Sequence, residues 1–139
     1  MMDIKRINDT ISVSPQISPE DVPAIAAAGF RSILCNRPDG EGADQPAYAE
    51  IEAAARAAGL ETLFQPVVSG RVTDQDGADF QAALAALPKP VFAYCRTGTR
   101  CAVLWSLSQA GQVPVDQIMQ ATRAAGYDLA ALAPRLGAG

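Results

Sequence analysis

The sequence predicts an α/β fold, with a parallel sheet of about four strands flanked by about five helices in a single domain over residues 1–139. Two patterns support this prediction. Short apolar segments alternate along the chain with segments whose apolar residues recur at helical spacing. The helical segments begin at capping residues and end near a glycine or a proline, as helices placed between strands usually do.

Strands are expected at four places. Residues 11–14 alternate apolar and polar side chains, which indicates a half-exposed edge strand. Residues 30–36 and 60–67 each contain a short apolar run and indicate further strands, and residues 90–93 indicate the last. Cys35 lies within the second of these segments and is expected to be a core residue, because free cysteine is often buried as a small apolar side chain.

Ser18 and Thr73 are each expected to cap a helix. Pro19 directly follows Ser18, and Asp76 stands three residues after Thr73, which are patterns typical of helix starts. The other helices are expected at residues 48–58, directly after Arg100, at residues 114–125 and in an apolar tail at residues 129–136.

The composition excludes several classes of function. The 139 residues carry a net charge of −4 without a long basic run, which argues against nucleic-acid binding. No apolar stretch approaches the roughly 20 residues of a membrane span, and no apolar signal core is seen, so we expect a cytoplasmic protein with no membrane partner. Histidine is absent, which excludes a Cys-His or Ser-His-Asp triad. The three cysteines include no CxxC pair, so no metal site is predicted.

The segment from Cys95 to Arg100 carries the strongest functional signal, because it joins a strand to a helix through a glycine-containing loop. Amide N–H groups of such a loop converge on one point, and the helix dipole adds positive potential there. The same field favours a nucleophilic thiolate at Cys95, and Arg100 supplies a forked positive charge. Both are predicted to be catalytic; the alternative is a buried cysteine beside a glycine needed only for the turn. The other anion-binding candidates in the loop are Arg96, Thr97, Gly98, Thr99 and Cys101.

Two other loops are expected at the same edge of the sheet, because the C-terminal ends of parallel strands meet there. One carries Arg37 and the other Arg71, so both are candidates to bind the same anion as Arg100. The alternative is that they are solvated loop residues. Asp74 and Asp76 are possible general acids, although their place in the first turn of a helix favours a capping role.

Three stretches carry a resemblance to known proteins: Gln16–Asp21, Asn36–Glu41 and Ala93–Arg100. The order of elements, with Cys95 between the last strand and a long helix, is similar to that of the dual-specificity and tyrosine phosphatases. Over about residues 10–110 the chain more closely resembles the bacterial phosphatase-like family that is fused to, or encoded near, β-lactamase-like hydrolases. This resemblance implies a phosphatase-like α/β fold. Members of the family are described both as phosphatases and as sulfur transferases, often in sulfide-handling contexts.

The loop departs from the phosphatase pattern, in which five residues separate the cysteine from the arginine, because only four separate Cys95 from Arg100. It resembles instead the Cys-Arg-x-Gly-x-Arg loop of rhodanese-type sulfurtransferases. A tighter loop suits one sulfur atom better than a phosphoryl group with three oxygens. Tyr94 stands where phosphatases usually carry a histidine, and no aspartate directly follows the strand at residues 60–67. Cys101 is either a resolving thiol for a persulfide on Cys95 or a buried thiol packed under the loop.

The sequence therefore predicts a rhodanese-like, cysteine-based sulfurtransferase. It would move sulfane sulfur from thiosulfate or a persulfide, through a persulfide on Cys95, to an acceptor thiol or cyanide, with no cofactor. The first alternative is a phosphatase that forms phosphocysteine, with Asp74 or Asp76 as the acid. The second is a non-catalytic module that binds polysulfide or another anion. The expected partners are an anionic sulfur donor, a thiol acceptor and, by resemblance, a sulfide-oxidising or β-lactamase-like enzyme.

Overall fold

The computed structural model of the protein describes residues 2–137, so the ends of the expected domain, residues 1 and 139, lie outside the described part. The strands are β1 (Lys5–Arg6), β2 (Ile11–Ser14), β3 (Ser32–Cys35), β4 (Glu61–Phe64) and β5 (Val91–Tyr94). They form one five-stranded sheet with the order β1-β2-β5-β3-β4. The four longer strands run parallel, and β1 is antiparallel to β2.

Six helices lie between or after these strands: α1 (Val22–Ala27), α2 (Tyr48–Ala57), α3 (Asp74–Ala86), α4 (Thr99–Gln109), α5 (Val115–Ala124) and α6 (Ala133–Gly137). Short 3-10 turns, Pro19–Asp21 and Ala130–Leu132, precede α1 and α6. Ser18 is the N-cap of the first turn and Thr73 is the N-cap of α3, so both predicted helix starts are confirmed. Within residues 2–137, no helix is both long enough and apolar enough to cross a membrane.

The sequence prediction was wrong about the edge of the sheet. Strand β2 is not a half-exposed edge, because it pairs with β1 on one side and with β5 on the other. Ser12 and Ser14 are 5% and 1% exposed, and the Ser14 hydroxyl donates to the carbonyl of Pro15. A small hydroxyl side chain can be buried in a strand when it hydrogen-bonds to the backbone. The alternation of apolar and polar residues therefore did not show that β2 is an internal strand. Strand β1 was missed because two residues show no periodicity.

Helices cover both faces of the sheet, as the alternation of strands and helices predicts. On one face, α1 and α2 pack against Ile33 and Phe92. On the other face, α3, α4 and α5 pack against Leu34 and Ala93. Neighbouring residues of β3 and β5 therefore enter opposite cores, and both strands are buried throughout.

The central position of β5 determines where the candidate site lies. Tyr94, the last residue of β5, pairs with Ser14 of β2 and with Cys35 of β3. Cys95 and Asn36 directly follow these strand ends, and the Cys95 amide donates to the Ser14 carbonyl at 3.3 Å. The segment that begins at Cys95 thus starts at the middle of the C-terminal edge, where open parallel sheets place their ligands.

Candidate active site

The Cys95 loop, residues 95–100, folds its backbone around the Cys95 sulfur. Gly98 has a φ of 90° and is the N-cap of α4, in the left-handed region that glycine adopts without strain. This conformation brings the Gly98 amide to 3.1 Å from Cys95 Sγ, to which it donates a hydrogen bond. Cys95 itself is only 1% exposed. The predicted cradle of amides at the helix N-terminus is therefore present.

The pKa of the Cys95 thiol is lowered to about 6. The largest cause is a hydrogen bond from the Cys101 side chain, which outweighs the opposing effect of burial. Amide N–H groups of Cys101, Thr97 and Gly98 lower the pKa further. The direction was predicted from the helix and the two arginines, but neighbouring hydrogen-bond donors are the main cause. At neutral pH Cys95 is therefore largely a thiolate.

Cys101 is the largest single cause of the lowered pKa of Cys95. It lies in the first turn of α4 and is fully buried. Burial, followed by its contact with Cys95, raises the pKa of Cys101 well above its ordinary value. Cys101 therefore keeps its proton and donates it to the Cys95 sulfur as a hydrogen bond.

Arg100 is buried beside the loop and is 8% exposed. Its Nη1 donates to the Val67 carbonyl at 2.9 Å and to Glu41 Oε2 at 3.2 Å, and its Nη2 donates to Glu41 Oε1 at 3.2 Å. Its Nε is buried and has no hydrogen-bond partner among residues 2–137. An unpaired buried donor of this kind is costly.

Glu41 was not identified from the sequence, and it organises the arginines of the site. Besides its two bonds with Arg100, it accepts a hydrogen bond from Arg37 Nε at 3.0 Å. Arg37 is 6% exposed and also donates to Gln16 Oε1 at 3.0 Å. Burial raises the pKa of Glu41, but the hydrogen bonds from Arg100 and Arg37 together lower it below its usual value. Glu41 is therefore a carboxylate at neutral pH.

A cavity of about 560 Å³ opens above the Cys95 loop. It is lined by loop residues that the sequence singled out and by residues from three other segments. The lining residues are Glu41, Ser69, Gly70, Val72, Cys95, Arg96, Thr97, Thr99, Arg100, Val103 and Arg135. Gly98 and Cys101 do not line the cavity; both contact the Cys95 sulfur from within the protein.

Four of the other candidates lie elsewhere. Arg71 is exposed in a turn and does not line the cavity. Arg37 contacts Glu41 rather than the cavity. Asp76 accepts from the Thr73 amide at 2.9 Å, and its own amide donates to Thr73 Oγ1, so it closes a capping box. Asp74 pairs with Arg135.

Tyr127 and Arg135 are two further residues that the sequence did not single out. The Tyr127 hydroxyl donates to the Thr97 carbonyl at 3.2 Å, and a Cβ placed on Gly98 would overlap that hydroxyl. Arg135 lies in α6, within the tail for which only a helix was predicted. No motif marks either residue, because both reach the site from distant segments of the chain. Among residues 2–137, no group of three or more His, Cys, Asp or Glu side chains is arranged to hold a metal ion.

The fold is that of the phosphatase-like α/β proteins. A solved candidate phosphatase from Neisseria meningitidis superimposes with a TM-score of 0.88 over 99% of each chain, at 36% identity. P. aeruginosa TpbA, solved in complex with phosphotyrosine, superimposes with a TM-score of 0.65 over 99% of this chain and 91% of its own, at 16% identity. The second likeness supports the fold alone. The predicted phosphatase-like fold is confirmed.

Residues 3–112 match the family model of the phosphatase-like domain of beta-lactamase hydrolase-like proteins, and the chain belongs to this family. A beta-lactamase hydrolase-like protein of Agrobacterium fabrum is 38% identical over 128 residues, which cover 91% of this chain. The match covers 30% of that relative, so the chain spans under a third of its length. The predicted family is confirmed. None of these comparisons points to sulfur transfer, and of the two expected activities they favour the phosphatase.

Proposed function

We propose that Cys95 is the nucleophile of an enzyme that takes a group from a small anionic donor. Three features support this proposal: a thiolate at neutral pH, amides directed at its sulfur, and the Arg100 side chain in the wall of the cavity. Membership of a phosphatase-like family supports catalysis as well. The transferred group is either a phosphoryl group, which the descriptions of the relatives favour, or a sulfane sulfur.

Phosphoryl transfer to Cys95 makes a particular demand on the site. The oxygen of an alkyl phosphate leaves as an alkoxide unless an acid gives it a proton. Among the described residues that line the cavity, Glu41 alone carries a carboxyl group. Its hydrogen bonds with Arg37 and Arg100 keep that group ionised. It can accept a proton but has none to give. Asp74 and Asp76 do not line the cavity, and Asp76 closes the capping box of α3.

Sulfur transfer makes no such demand. The Cys95 thiolate attacks the outer sulfur of thiosulfate, a sulfur–sulfur bond forms, and the bond to the sulfonate sulfur breaks with its electron pair leaving on sulfite. An acceptor thiolate then attacks the outer sulfur of the Cys95 persulfide and carries it away, which restores the Cys95 thiolate. Sulfite departs without a proton. The pairing of Glu41 with Arg37 and Arg100, which leaves the cavity without a carboxylic acid, is thus the observation that carries sulfur transfer as the proposed function.

Phosphatase activity is the second candidate, because the relatives are described in those terms. Because Glu41 is ionised and cannot protonate the leaving group, we expect a phosphatase of this kind to favour aryl phosphates. Their phenolate leaves more easily than an alkoxide. The two candidates use the same nucleophile, so loss of activity on replacing Cys95 does not separate them. The choice of substrate does.

Parallel turnover assays test the proposal. Sulfur transfer from thiosulfate to cyanide and hydrolysis of p-nitrophenyl phosphate are measured on the same preparation, with Cys95→Ser and Cys35→Ser as a matched pair. Cys35 is a buried thiol that donates to the Arg37 carbonyl at 3.3 Å, a bond that serine can keep. We expect sulfur transfer that Cys95→Ser abolishes and Cys35→Ser retains. Efficient phosphate hydrolysis without sulfur transfer would establish the phosphatase instead, and anion binding without either activity would indicate a binding module.

A further inference from the structure

The cavity is much larger than the reaction at Cys95 requires. Thiosulfate and phosphate are each the size of a few water molecules, and one water takes up about 30 Å³. The cavity measures about 560 Å³, whereas volumes of roughly 300–1,000 Å³ are typical of sites for organic molecules. Part of its wall is apolar, formed by Val72 and Val103. The site therefore has room for an organic group attached to the reacting sulfur.

Arg135 brings a positive charge to this cavity from the C-terminal helix. Its Nη2 donates to the Asp74 carboxylate at 2.8 Å and to the Val72 carbonyl at 3.3 Å. Both contacts use the same nitrogen, so Nη1 and Nε have no hydrogen-bond partner within the described part of the chain. The side chain is 43% exposed, and that of Asp74 is 87% exposed. Solvent weakens an ion pair this exposed, so Arg135 remains available to a second anion.

The three arginines that line the cavity differ in their exposure and in the element that carries them. Arg100 is buried and already bonded to Glu41. Arg96 is exposed and belongs to the Cys95 loop itself. Arg135 comes from a separate element and is anchored by its contacts with Val72 and Asp74 at the start of α3. With Nη2 held in this way, Nη1 and Nε remain to donate, and a charge-assisted hydrogen bond from either nitrogen to a carboxylate is stronger than a neutral one.

We propose that Arg135 binds a carboxylate of an organic thiol that accepts the sulfur from Cys95. The physiological acceptor is then a low-molecular-weight thiol that carries a carboxylate at a distance from its sulfur, rather than cyanide or a neutral thiol. The apolar wall at Val72 and Val103 contacts the carbon chain between the two ends. This assignment rests on the proposed sulfur transfer, and Arg135 acts in it as a specificity-determining residue.

Glutathione and its diethyl ester provide the matched probes, because esterification removes the carboxylate charges and keeps the thiol and the ammonium group. With thiosulfate as the donor, we expect kcat/KM for glutathione to exceed that for the ester, and Arg135→Gln to lower the glutathione value about three- to ten-fold. The ester value is expected to stay unchanged. Arg56→Gln is the control, because Arg56 pairs with Glu52 on α2, is 74% exposed and does not line the cavity.

A binding measurement separates this inference from the proposed function. The dissociation constant of reduced glutathione is measured by calorimetry on Cys95→Ser protein, with and without Arg135→Gln or Arg56→Gln. We expect Arg135→Gln alone to weaken binding by a similar factor. Equal dissociation constants in the two double variants, or no binding in any of them, would overturn the role of Arg135 whether or not sulfur is transferred. Binding of glutathione that depends on Arg135, in a protein that transfers no sulfur, would overturn the proposed function. It would still support a carboxylate site at Arg135.

Discussion

Glu41 and Arg100 meet through two hydrogen bonds of 3.2 Å, although 59 positions separate them in the chain. The pair turns the guanidinium so that Nη1 and Nη2 are occupied and Nε is left without a partner. Arg37 fixes the same carboxylate from another side at 3.0 Å. The charge of Arg100 is thus oriented before any anion arrives, which avoids the cost of reorganising it during the reaction.

Glu41→Gln tests this orientation. Glutamine keeps the size of the side chain but loses the charge that holds two guanidinium groups, so Arg100 becomes free to turn. We expect kcat/KM for thiosulfate to fall about ten- to a hundred-fold, as the loss of charge-assisted hydrogen bonds would give. Glu52→Gln is the control, because Glu52 pairs with Arg56 on α2. A loss confined to the melting temperature, with KM and kcat unchanged, would mean that Glu41 is only structural.

Replacing each loop arginine by lysine tests which one faces the bound anion. Arg100→Lys keeps the charge and loses the fork, and we expect a loss of about ten- to a hundred-fold in kcat/KM. Arg96 is exposed whereas Arg100 is 8% exposed, so Arg96→Lys is expected to cost less. Both variants are assayed at one donor concentration. A larger loss for Arg96→Lys would assign the closer contact to Arg96.

The pH dependence follows from the pKa of about 6 at Cys95. The thiolate predominates above this value, so the rate of alkylation by iodoacetamide should fall as pH falls through about 6. The folded pKa lies below the ordinary value of 9.0. The thiolate therefore stabilises the fold fully above pH 9, and this contribution declines with falling pH and is lost below the folded pKa. An alkylation midpoint between about 8.5 and 9, where an unperturbed thiol titrates, would contradict the hydrogen-bonding pattern at Cys95.

Cys101 variants separate a hydrogen-bond donor from a resolving thiol. Cys101→Ser keeps a donor beside Cys95, whereas Cys101→Ala removes it. We expect Cys101→Ala to raise the alkylation midpoint of Cys95 and Cys101→Ser to leave it close to that of the unmodified protein, with sulfur transfer retained in Cys101→Ser. Loss of transfer in Cys101→Ser at an unchanged midpoint would indicate that the Cys101 thiol itself takes part in the chemistry.

Local signals made most of the fold predictable. The capping box of Thr73 and Asp76 lies within four residues, and the apolar runs of β3 and β5 are continuous, so each could be recognised from neighbouring residues. The Cys95 loop was recognisable for the same reason. Strand β1 was not, since its two residues become a strand only by pairing with β2.

The residues that complete the site were harder to predict, because their roles depend on distant contacts. Glu41 stands in a loop whose glycines and proline indicated only a turn, and its partner Arg100 lies 59 positions away. Arg135 reaches Asp74 across 61 positions. Arg71, by contrast, was expected beside Arg100 from the topology of the strands, but its loop turns it to solvent. Topology predicts the edge at which a loop lies and does not predict the direction of its side chains.

The most direct test of the central claim is the mass of the protein after incubation with thiosulfate. Intact-mass and peptide analysis without reducing agent would show whether Cys95 gains one sulfur atom, with Cys95→Ser and Cys35→Ser treated in parallel. We predict one added sulfur on Cys95, none in Cys95→Ser, and removal of the sulfur by an acceptor thiol. An unmodified Cys95 in protein that forms phosphocysteine with p-nitrophenyl phosphate would contradict sulfur transfer and assign the domain to the phosphatases.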